Sequence, residues 1–306
     1  MSMLPSITFG VMKSVPETAA LPSGPLGRLE TVVTRLGLGG EGVLRTFGRE
    51  TEAHSVIGAA LDEGITYYES ARAYAGSESY YGRFLASRRD SVFLATKTHD
   101  RTKAGARAML EQSLKTLKTS WLDLWQFHDI RELEEVERLE DPGGAYAALV
   151  EAKARGDVRA IGVTGHFAPE VLRAALERVP FDTVLLPINP AEGALPDGFE
   201  RSVVPTARAL GMGIIGMKVF AHGLLFGDAA TGVTPEEAIA YALAADVDVI
   251  VVGCDDAAQV RQNARATRIA GLPTREARAE LESRLGDAAE QLAYYRSGAP
   301  PANSSA

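Results

Sequence analysis

Two polar side chains follow a short strand-like run in GITYYESARAYAG, which covers residues 64–76. The run ITYYE is rich in β-branched and aromatic residues and ends on Glu69, and Tyr74 follows in the adjoining segment. Two later apolar runs also end on polar residues, because VFLATK ends on Lys97 and LDLWQFH ends on His128. A carboxylate, a phenol, an ammonium group and an imidazole can transfer protons if the fold brings them together.

The chemistry of these four groups depends on their mutual positions. A phenol has a reference pKa of about 10 and is a weak acid at neutral pH. An adjacent ammonium group favours the ionised form and makes proton donation and recovery easier. We therefore expect Lys97 beside Tyr74, with Glu69 as the counter-ion that a buried lysine needs. His128 can orient a substrate oxygen or help relay its proton.

The elements that would position these groups recur as β-rich runs separated by helical segments. Eight such runs at intervals of roughly 25 to 35 residues predict a (β/α)8 barrel, whose active site lies at the carboxyl ends of its strands. An open doubly wound sheet is the alternative, although no G-x-G-x-x-G follows the first run. The runs are TVVTRLGLG, ITYYE, VFLATK, LDLWQFH, VRAIGVT, DTVLLPI, MGIIGMK and VDVIVVG, near residues 31, 65, 92, 122, 158, 182, 212 and 247.

Length and strand spacing predict one domain over residues 1–306, with the barrel core at about 31–270. We expect ITFGVM and GPLGRLE to form an N-terminal hairpin that closes the barrel floor. Residues 271–306 should form a C-terminal helix and a frayed tail.

Composition excludes several classes of function. The net charge of −8 and the pI near 5.3 predict no nucleic-acid or membrane partner. The absence of a long apolar segment predicts a cytoplasmic protein. The single cysteine, Cys254, cannot form an internal disulfide, a cysteine zinc site or an iron–sulfur cluster. No other residues have metal-site spacing, so we expect no metal.

The motifs together resemble the aldo-keto reductase family. GITYYESARAYAGSESYYG is similar to the family's sequence of strand, acid, small residue, alanine and tyrosine, with a later acid four residues before glycine. ATKTH, SLKTLKTSWLDLWQFHD, GDVRAIGVTGH and VDVIVVGCDDAAQVRQN resemble its later blocks. The resemblance extends from RLGLGG to the helix that begins near Gln259.

This resemblance implies an oxidoreductase that moves a hydride between a nicotinamide dinucleotide and a small aldehyde, ketone, sugar or alcohol. Tyr74 would be the general acid, Lys97 its activator and His128 the group that orients the substrate. Glu69 stands where the family has Asp, and the extra methylene lengthens the reach of the carboxylate.

The residues that hold the nicotinamide in the family are also replaced in this sequence. Family members hold the carboxamide with Ser-Asn and Gln and place a Tyr beneath the ring. The matching positions here are Thr164 with Gly165, Leu185 and Met217, and Asn189 and Lys218 are the candidates to compensate. The resemblance thus predicts a cofactor site of Thr164, Gly165, Asn189, Met217, Lys218, Gly253, Cys254, Asp255, Gln259, Gln262 and Asn263.

The choice between NADP(H) and NAD(H) stays open at this stage. Family members bind the 2′-phosphate of NADPH with basic residues after the last strand, which favours NADP(H). Here Asp255 and Asp256 would repel a phosphate and could accept hydrogen bonds from a free ribose hydroxyl. Arg261 and Arg265 could still bind a phosphate.

Two other classes of function are compatible with these residues. One is a nucleotide-binding regulatory barrel with little catalysis, and the other is a lyase or isomerase that uses the same Tyr and Lys. His99, His166 and His222 also follow strands and are candidates for the substrate mouth. The sequence does not specify the substrate or the oligomeric state.

Overall fold

The computed structural model describes residues 16, 19–226 and 232–297. Its strands are β1 (Ser23–Leu26), β2 (Leu29–Thr34), β3 (Leu36–Gly42), β4 (Tyr67–Glu69), β5 (Phe93–Thr98), β6 (Leu122–Phe127), β7 (Val158–Thr164), β8 (Thr183–Pro187), β9 (Gly213–Met217) and β10 (Val249–Cys254). Its helices are α1 (Glu50–Asp62), α2 (Ser77–Phe84), α3 (Lys103–Leu117), α4 (Leu133–Glu137), α5 (Ala145–Arg155), α6 (Pro169–Arg178), α7 (Pro190–Ala194), α8 (Phe199–Ala209), α9 (Pro235–Ala244), α10 (Ala257–Ile269), α11 (Arg275–Leu285) and α12 (Ala289–Leu292). Short 3-10 turns span Val43–Arg45, Ala86–Ser91, Ala221–Phe226, Gly286–Ala288 and Tyr294–Arg296.

Strands β3 to β10 form a closed parallel barrel in the order β10-β3-β4-β5-β6-β7-β8-β9. The predicted (β/α)8 architecture is therefore confirmed, and the open doubly wound sheet is excluded. Parallel pairing fixes the strand ends relative to one another, with Glu69 beside Ala95 and Lys97 beside Gln126. The two polar strand ends thus lie at the same rim of the barrel.

An N-terminal hairpin closes the other end of the barrel, but it pairs β1 with β2, whereas the sequence predicts a hairpin of ITFGVM and GPLGRLE. Leu26 and Val33 are buried among the side chains that fill the barrel interior. The turn needs Gly27, which has φ of 54° and whose Cβ would lie 2.2 Å from the amide nitrogen of Gly213.

The boundaries of this region differ from the prediction. The first predicted run divides in two, because residues 31–34 belong to the hairpin and the barrel strand begins at Leu36. Two hydrogen bonds bend the chain at this point, from the Thr34 hydroxyl to the Leu36 carbonyl and from the Arg35 amide to the Pro22 carbonyl. ITFGVM (7–12) and the final residues 298–306 lie outside the described part of the chain.

Alternation along the strands determines which side chains reach the rim at the carboxyl ends of the strands. Tyr67, Ala95 and Leu124 face the barrel interior, where they share one apolar cluster. Successive residues of a strand point to opposite faces, so the side chains two positions later also point inward. These are Glu69, Lys97 and Gln126.

The last described turn returns to the same rim. The Tyr295 hydroxyl donates to Glu192 Oε1 at 2.9 Å, and Arg296 Nη2 donates to Glu192 Oε2 at 2.6 Å. Asn189 Nδ2 donates to the Tyr295 hydroxyl at 3.1 Å. This turn is therefore fastened to α7 and its N-cap Asn189, which follow β8.

Candidate functional site

Lys97 is held at the end of β5 by two acceptors. Its Nζ donates to Glu69 Oε1 at 2.7 Å and to the carbonyl of Ser70 at 2.9 Å. The side chains of Lys97 and Glu69 are 1% and 5% exposed, so water contributes little to their solvation. The carboxylate is thus the counter-ion of a buried ammonium group.

The second oxygen of Glu69 has partners of its own. Gln126 Nε2 donates to Oε2 at 3.3 Å, and the Tyr67 hydroxyl approaches the same oxygen at 3.5 Å. The barrel interior therefore accommodates the longer acid through polar neighbours. Sequence reasoning missed Gln126, although strand alternation places it beside Lys97.

Tyr74 lies beside this ion pair, between two cations. The Lys97 Nζ is 4.9 Å from the centroid of the Tyr74 ring, and the Arg45 guanidinium carbon is 5.0 Å from it. The His128 ring meets Tyr74 edge-on at a centroid separation of 6.0 Å. The structure thus brings together all four residues that the sequence predicts to be catalytic.

The pKa of Tyr74 differs from the sequence-based expectation, in which an adjacent ammonium group favours the ionised phenol. Burial first, and then the charges of Glu41 and Glu69, hold the pKa of Tyr74 well above its ordinary value, with Arg45 opposing them. A side-chain hydrogen bond to Glu41 raises the pKa of Tyr74 further. The phenol is therefore kept protonated.

Glu41 is a second acid at the site that sequence reasoning missed. It lies near the end of β3, and Arg45 Nη1 donates to its two carboxylate oxygens at 3.0 and 2.9 Å. Burial opposes ionisation, but the charge and hydrogen bonds of Arg45 outweigh it and lower the pKa of Glu41. The available signal was an acid at a strand end with an arginine four residues later.

His128 is fixed through its backbone. Its amide donates to the Thr98 carbonyl at 2.8 Å, and Arg101 Nη1 donates to its carbonyl at 2.9 Å. Burial, followed by the positive charge of nearby Lys97, holds the pKa of His128 well below its ordinary value. The imidazole is thus neutral at pH 7 and able to donate one hydrogen bond.

A cavity of about 390 Å³ opens beside Glu69 and Tyr74. Its walls come from the end of β3, the segment after β9, and the start of α10. The predicted cofactor residues that line it are Met217, Lys218, Gly253, Asp255, Gln259, Gln262 and Asn263.

Four predicted cofactor residues lie outside this lining. The Thr164 hydroxyl accepts a hydrogen bond from the Asp129 amide at 2.8 Å, and the Gly165 amide donates to the Leu185 carbonyl at 3.2 Å. Asn189 donates to the Lys218 carbonyl at 3.0 Å as well as to Tyr295. The Cys254 thiol is 3.4 Å from Asn263 Nδ2, and burial raises the pKa of Cys254 to about 12.

The segment after β9 carries unusual backbone geometry. Lys218, Ala221 and His222 have φ values of 55°, 46° and 57°, in a region that non-glycine residues seldom occupy. Lys218 Nζ lies 3.0 Å from His222 Nε2 and 5.0 Å from the centroid of the Tyr295 ring. Such strain often accompanies binding segments.

Burial lowers the pKa values of Lys218 and of two nearby imidazoles, those of His222 and His166. Desolvation lowers the pKa of Lys218 to about 8, with Glu41 and Asp129 opposing that shift. It lowers the pKa of His222 to about 4 and that of His166 to about 3, with Lys218 the next contributor in both cases. Both imidazoles are therefore neutral at pH 7.

The aldo/keto reductase family profile matches residues 35–237, which is well over half of the chain. The chain belongs to the aldo-keto reductase family. This membership confirms the resemblance that the strand-end motifs predict.

Named relatives agree with this membership. The aldo-keto reductase YhdN of Bacillus subtilis is 32% identical over 192 residues, which are 57% of this chain and 55% of YhdN. The L-galactose dehydrogenase of Arabidopsis thaliana is 27% identical over 216 residues, which are 65% of this chain and 66% of that enzyme. The matched part of the chain thus spans between about half and two thirds of these relatives' lengths.

Solved structures of the family share the fold. The holo form of aldo-keto reductase AKR11C1 from Bacillus halodurans matches with a TM-score of 0.72 and 22% identity, over 86% of this chain and 96% of that one. An aldo-keto reductase from Klebsiella pneumoniae in complex with NADPH matches with a TM-score of 0.69 and 20% identity, over 83% and 92%. At these identities the likeness is one of fold.

Two other kinds of site are absent from the described residues. None of their helices combines the length and apolar character that crossing a bilayer requires. Within the same residues, no group of three histidine, cysteine or acidic side chains is arranged to bind a metal ion.

Proposed function

We propose that this family member is an oxidoreductase that transfers a hydride between a nicotinamide dinucleotide and a carbonyl or alcohol substrate. The observation that carries the proposal is the meeting of Glu69, Tyr74, Lys97 and His128 at one barrel rim, beside a cavity. Active sites of such barrels lie at the carboxyl ends of the strands. Family membership supports the same reaction class.

In the reducing direction, the carbonyl carbon gains a hydride and the carbonyl oxygen gains a proton. Tyr74 would supply that proton, and its raised pKa keeps the phenol in the donating form. His128, as a neutral imidazole, would donate a hydrogen bond to the same oxygen.

Lys97 would stabilise the phenolate that proton transfer leaves on Tyr74. Two of its three N–H groups are engaged by Glu69 and Ser70, so one donor remains. Its Nζ lies 4.9 Å from the centroid of the Tyr74 ring, so the ammonium group is near enough to stabilise a negative charge on the phenol. Glu69 would act through Lys97 as a positioning residue.

The residues along the cavity fit a dinucleotide chemically. The amides of Gln259, Gln262 and Asn263 offer donors and acceptors for ribose and phosphate oxygens, and the bound nicotinamide would supply the hydride. Asp255 also lines the cavity, whereas Arg261 and Arg265 are exposed and lie outside the lining. We propose NADP(H) or NAD(H) as the cofactor, with Asp255 favouring the free ribose hydroxyl of NAD(H).

We propose a small aldehyde, ketone or sugar as the substrate. One relative is named an L-galactose dehydrogenase, which supports a polar substrate of sugar size. The aligned segment covers 66% of that enzyme, so its substrate serves as a guide to chemical class.

The decisive experiment compares Tyr74→Phe with Tyr146→Phe. Tyr146 donates to the Pro180 carbonyl on the outer helices, so its loss is a matched control. Tyr74→Phe should lower turnover of an aldehyde, ketone and sugar panel by about 10²- to 10⁴-fold. Calorimetric titration with NADPH and NADH should give affinities within about two-fold of the wild type, because the phenol acts on the substrate.

Three results would contradict the proposal. Unchanged turnover in Tyr74→Phe would remove this residue from the reaction. Dinucleotide binding by the wild type without turnover of any panel member would favour a regulatory barrel. Conversion of substrate without nicotinamide would favour a lyase or isomerase.

A further inference from the structure

His128 lies at the start of a strained turn that follows β6. The next residue, Asp129, has φ of 59°, in the left-handed region that non-glycine residues seldom occupy. Its amide donates to the Thr164 hydroxyl at 2.8 Å, and the Ile130 amide donates to the Thr164 carbonyl at 2.8 Å. The end of β7 thus holds one side of the turn, and a strained backbone persists only where its surroundings fix it.

Arg101 holds two carbonyls of the same turn with one guanidinium group. Its Nη1 donates to the His128 carbonyl at 2.9 Å, and its Nη2 donates to the Asp129 carbonyl at 2.9 Å. A guanidinium group is planar and carries its donors in a fixed fork, so one side chain can bind two neighbouring oxygens in a defined geometry. The single nitrogen of a lysine side chain cannot reproduce this arrangement.

The guanidinium group of Arg101 is itself held in place. Its Nε donates to Glu135 Oε1 on α4 at 2.5 Å, and its central carbon lies 4.3 Å from the centroid of the Phe127 ring. The side chain is 35% exposed, so most of it is enclosed by its neighbours. Arg101 is thus a fixed support for the turn and differs from a solvated surface charge.

We propose, as an inference that rests on the proposed function, that Arg101 is a positioning residue that fixes the His128 imidazole relative to Tyr74 and Lys97. Arg101 lies four residues after Lys97 on the segment that leaves β5, so it joins the two strand ends that carry these groups. The His128 ring meets Tyr74 edge-on at a centroid separation of 6.0 Å. A shift of the turn would move the imidazole away from the substrate oxygen that Tyr74 protonates, and a misplacement of about 1 Å can slow a reaction by about a hundred-fold.

The place where Arg101 acts is separate from the cavity proposed for the dinucleotide. The lining of that cavity, as far as the chain is described, includes neither Arg101 nor His128. Calorimetric titration with NADPH and NADH should therefore give dissociation constants within about two-fold of the wild type in every Arg101 variant.

The first test compares two substitutions of Arg101. Arg101→Met removes all the donors and keeps apolar contact with Phe127, whereas Arg101→Lys keeps the positive charge and removes the fork. Both should lower turnover of an aldehyde, ketone and sugar panel by about ten- to a hundred-fold, mainly through kcat, because His128 acts at the reacting oxygen. If Arg101→Met does not fold, Arg101→Lys decides the question.

The control for these variants is Arg107→Met. Arg107 also follows β5, but its Nη2 donates to Glu151 Oε2 at 2.7 Å, between α3 and α5. Its removal takes away a paired arginine without touching the His128 turn, so kcat should equal that of the wild type. A loss of kcat in Arg107→Met as large as that in Arg101→Met would overturn the inference.

A double-variant cycle shows whether Arg101 acts through the imidazole. In a His128→Ala background, Arg101→Met should lower kcat by about two-fold or less, because the side chain that it positions is already absent. Independent losses that multiply would show that Arg101 supports the site in another way, and would overturn the inference. Added guanidinium ion, below denaturing concentration, should restore part of kcat to Arg101→Ala and none to His128→Ala.

A further measurement does not depend on turnover. The ring nitrogen NMR signals of His128, assigned by their loss in His128→Ala, should shift in Arg101→Met and in Arg101→Lys. They should stay in place in Arg107→Met. Unshifted signals in both Arg101 variants would show that the imidazole keeps its surroundings, which would overturn the inference.

The outcomes separate this inference from the proposed function. Wild-type kcat in both Arg101 variants, together with a loss in His128→Ala, would overturn the role of Arg101 and leave the proposed function intact. Nicotinamide-dependent turnover of no panel member by the wild type would overturn the proposed function, and with it the role of Arg101 in this reaction.

Discussion

Lys97 and Glu69 form an ion pair of 2.7 Å that is almost completely withdrawn from water. Pairs of this kind add little to stability as a whole, because the Coulombic gain is consumed by desolvation. This pair holds an ammonium group 4.9 Å from the centroid of the Tyr74 ring. This relationship has a direct consequence for stability when either partner is removed.

We expect Lys97→Met and Glu69→Gln each to lower the free energy of unfolding, by about 3–5 kcal/mol, because each leaves its partner charged and buried. The double variant should lose clearly less than the sum of the two, since it leaves neither charge unpaired. Urea denaturation of the four proteins measures this cycle. Additive losses would show that the two side chains act independently.

Glu41→Gln tests the influence of the second acid on Tyr74. The Glu41 charge raises the pKa of Tyr74, so its removal should lower that pKa. Reduction needs the protonated phenol, and the alkaline limb of kcat/KM for reduction should therefore move to lower pH. Alcohol oxidation needs the deprotonated form and should gain activity at lower pH.

A matched control for this variant is Glu52→Gln, which removes an acid that is also paired with an arginine. Glu52, on α1, lies 2.8 Å from Arg49, and its side chain is 44% exposed. Its pH profiles should coincide with those of the wild type in both directions. Identical profiles for Glu41→Gln and the wild type would separate Glu41 from the proton transfer.

Asp255→Asn tests the choice of cofactor. Removing a negative charge at the α10 end of the cavity should improve NADPH affinity relative to NADH by about three- to ten-fold, because repulsion of the 2′-phosphate is relieved. Dissociation constants from calorimetric titration give this ratio directly. Asp287→Asn, at an exposed position after α11, should leave it unchanged. An unaltered ratio in Asp255→Asn would place the 2′-hydroxyl elsewhere.

Local sequence patterns predicted the barrel because each strand carries its own apolar run and its own polar end. The meeting of Glu69 with Lys97 followed from the same patterns, since parallel register brings neighbouring strand ends to one rim. The involvement of Glu41 could not be predicted in this way. Its effect on Tyr74 depends on the three-dimensional path of the chain after β3 and on the rotamer of Arg45.

Side-chain contacts between residues far apart in the sequence also limit what the sequence can predict about the site. Asn189 was predicted to hold the cofactor because of its place after β8. Its side-chain amide donates to the Lys218 carbonyl and to the hydroxyl of Tyr295, near the end of the described chain. A contact between residues as far apart in the chain as Asn189 and Tyr295 leaves no periodic pattern in the sequence. The assignment of Asn189 to the cofactor therefore stays a prediction.

The fastening of Tyr295 and Arg296 to Glu192 joins a turn outside the barrel to the segment after β8. The same turn borders the segment that carries Lys218, through the Tyr295 ring. The barrel strands pair with one another without this turn, so loss of the contacts to Glu192 would loosen one side of the rim and leave the strand pairing intact.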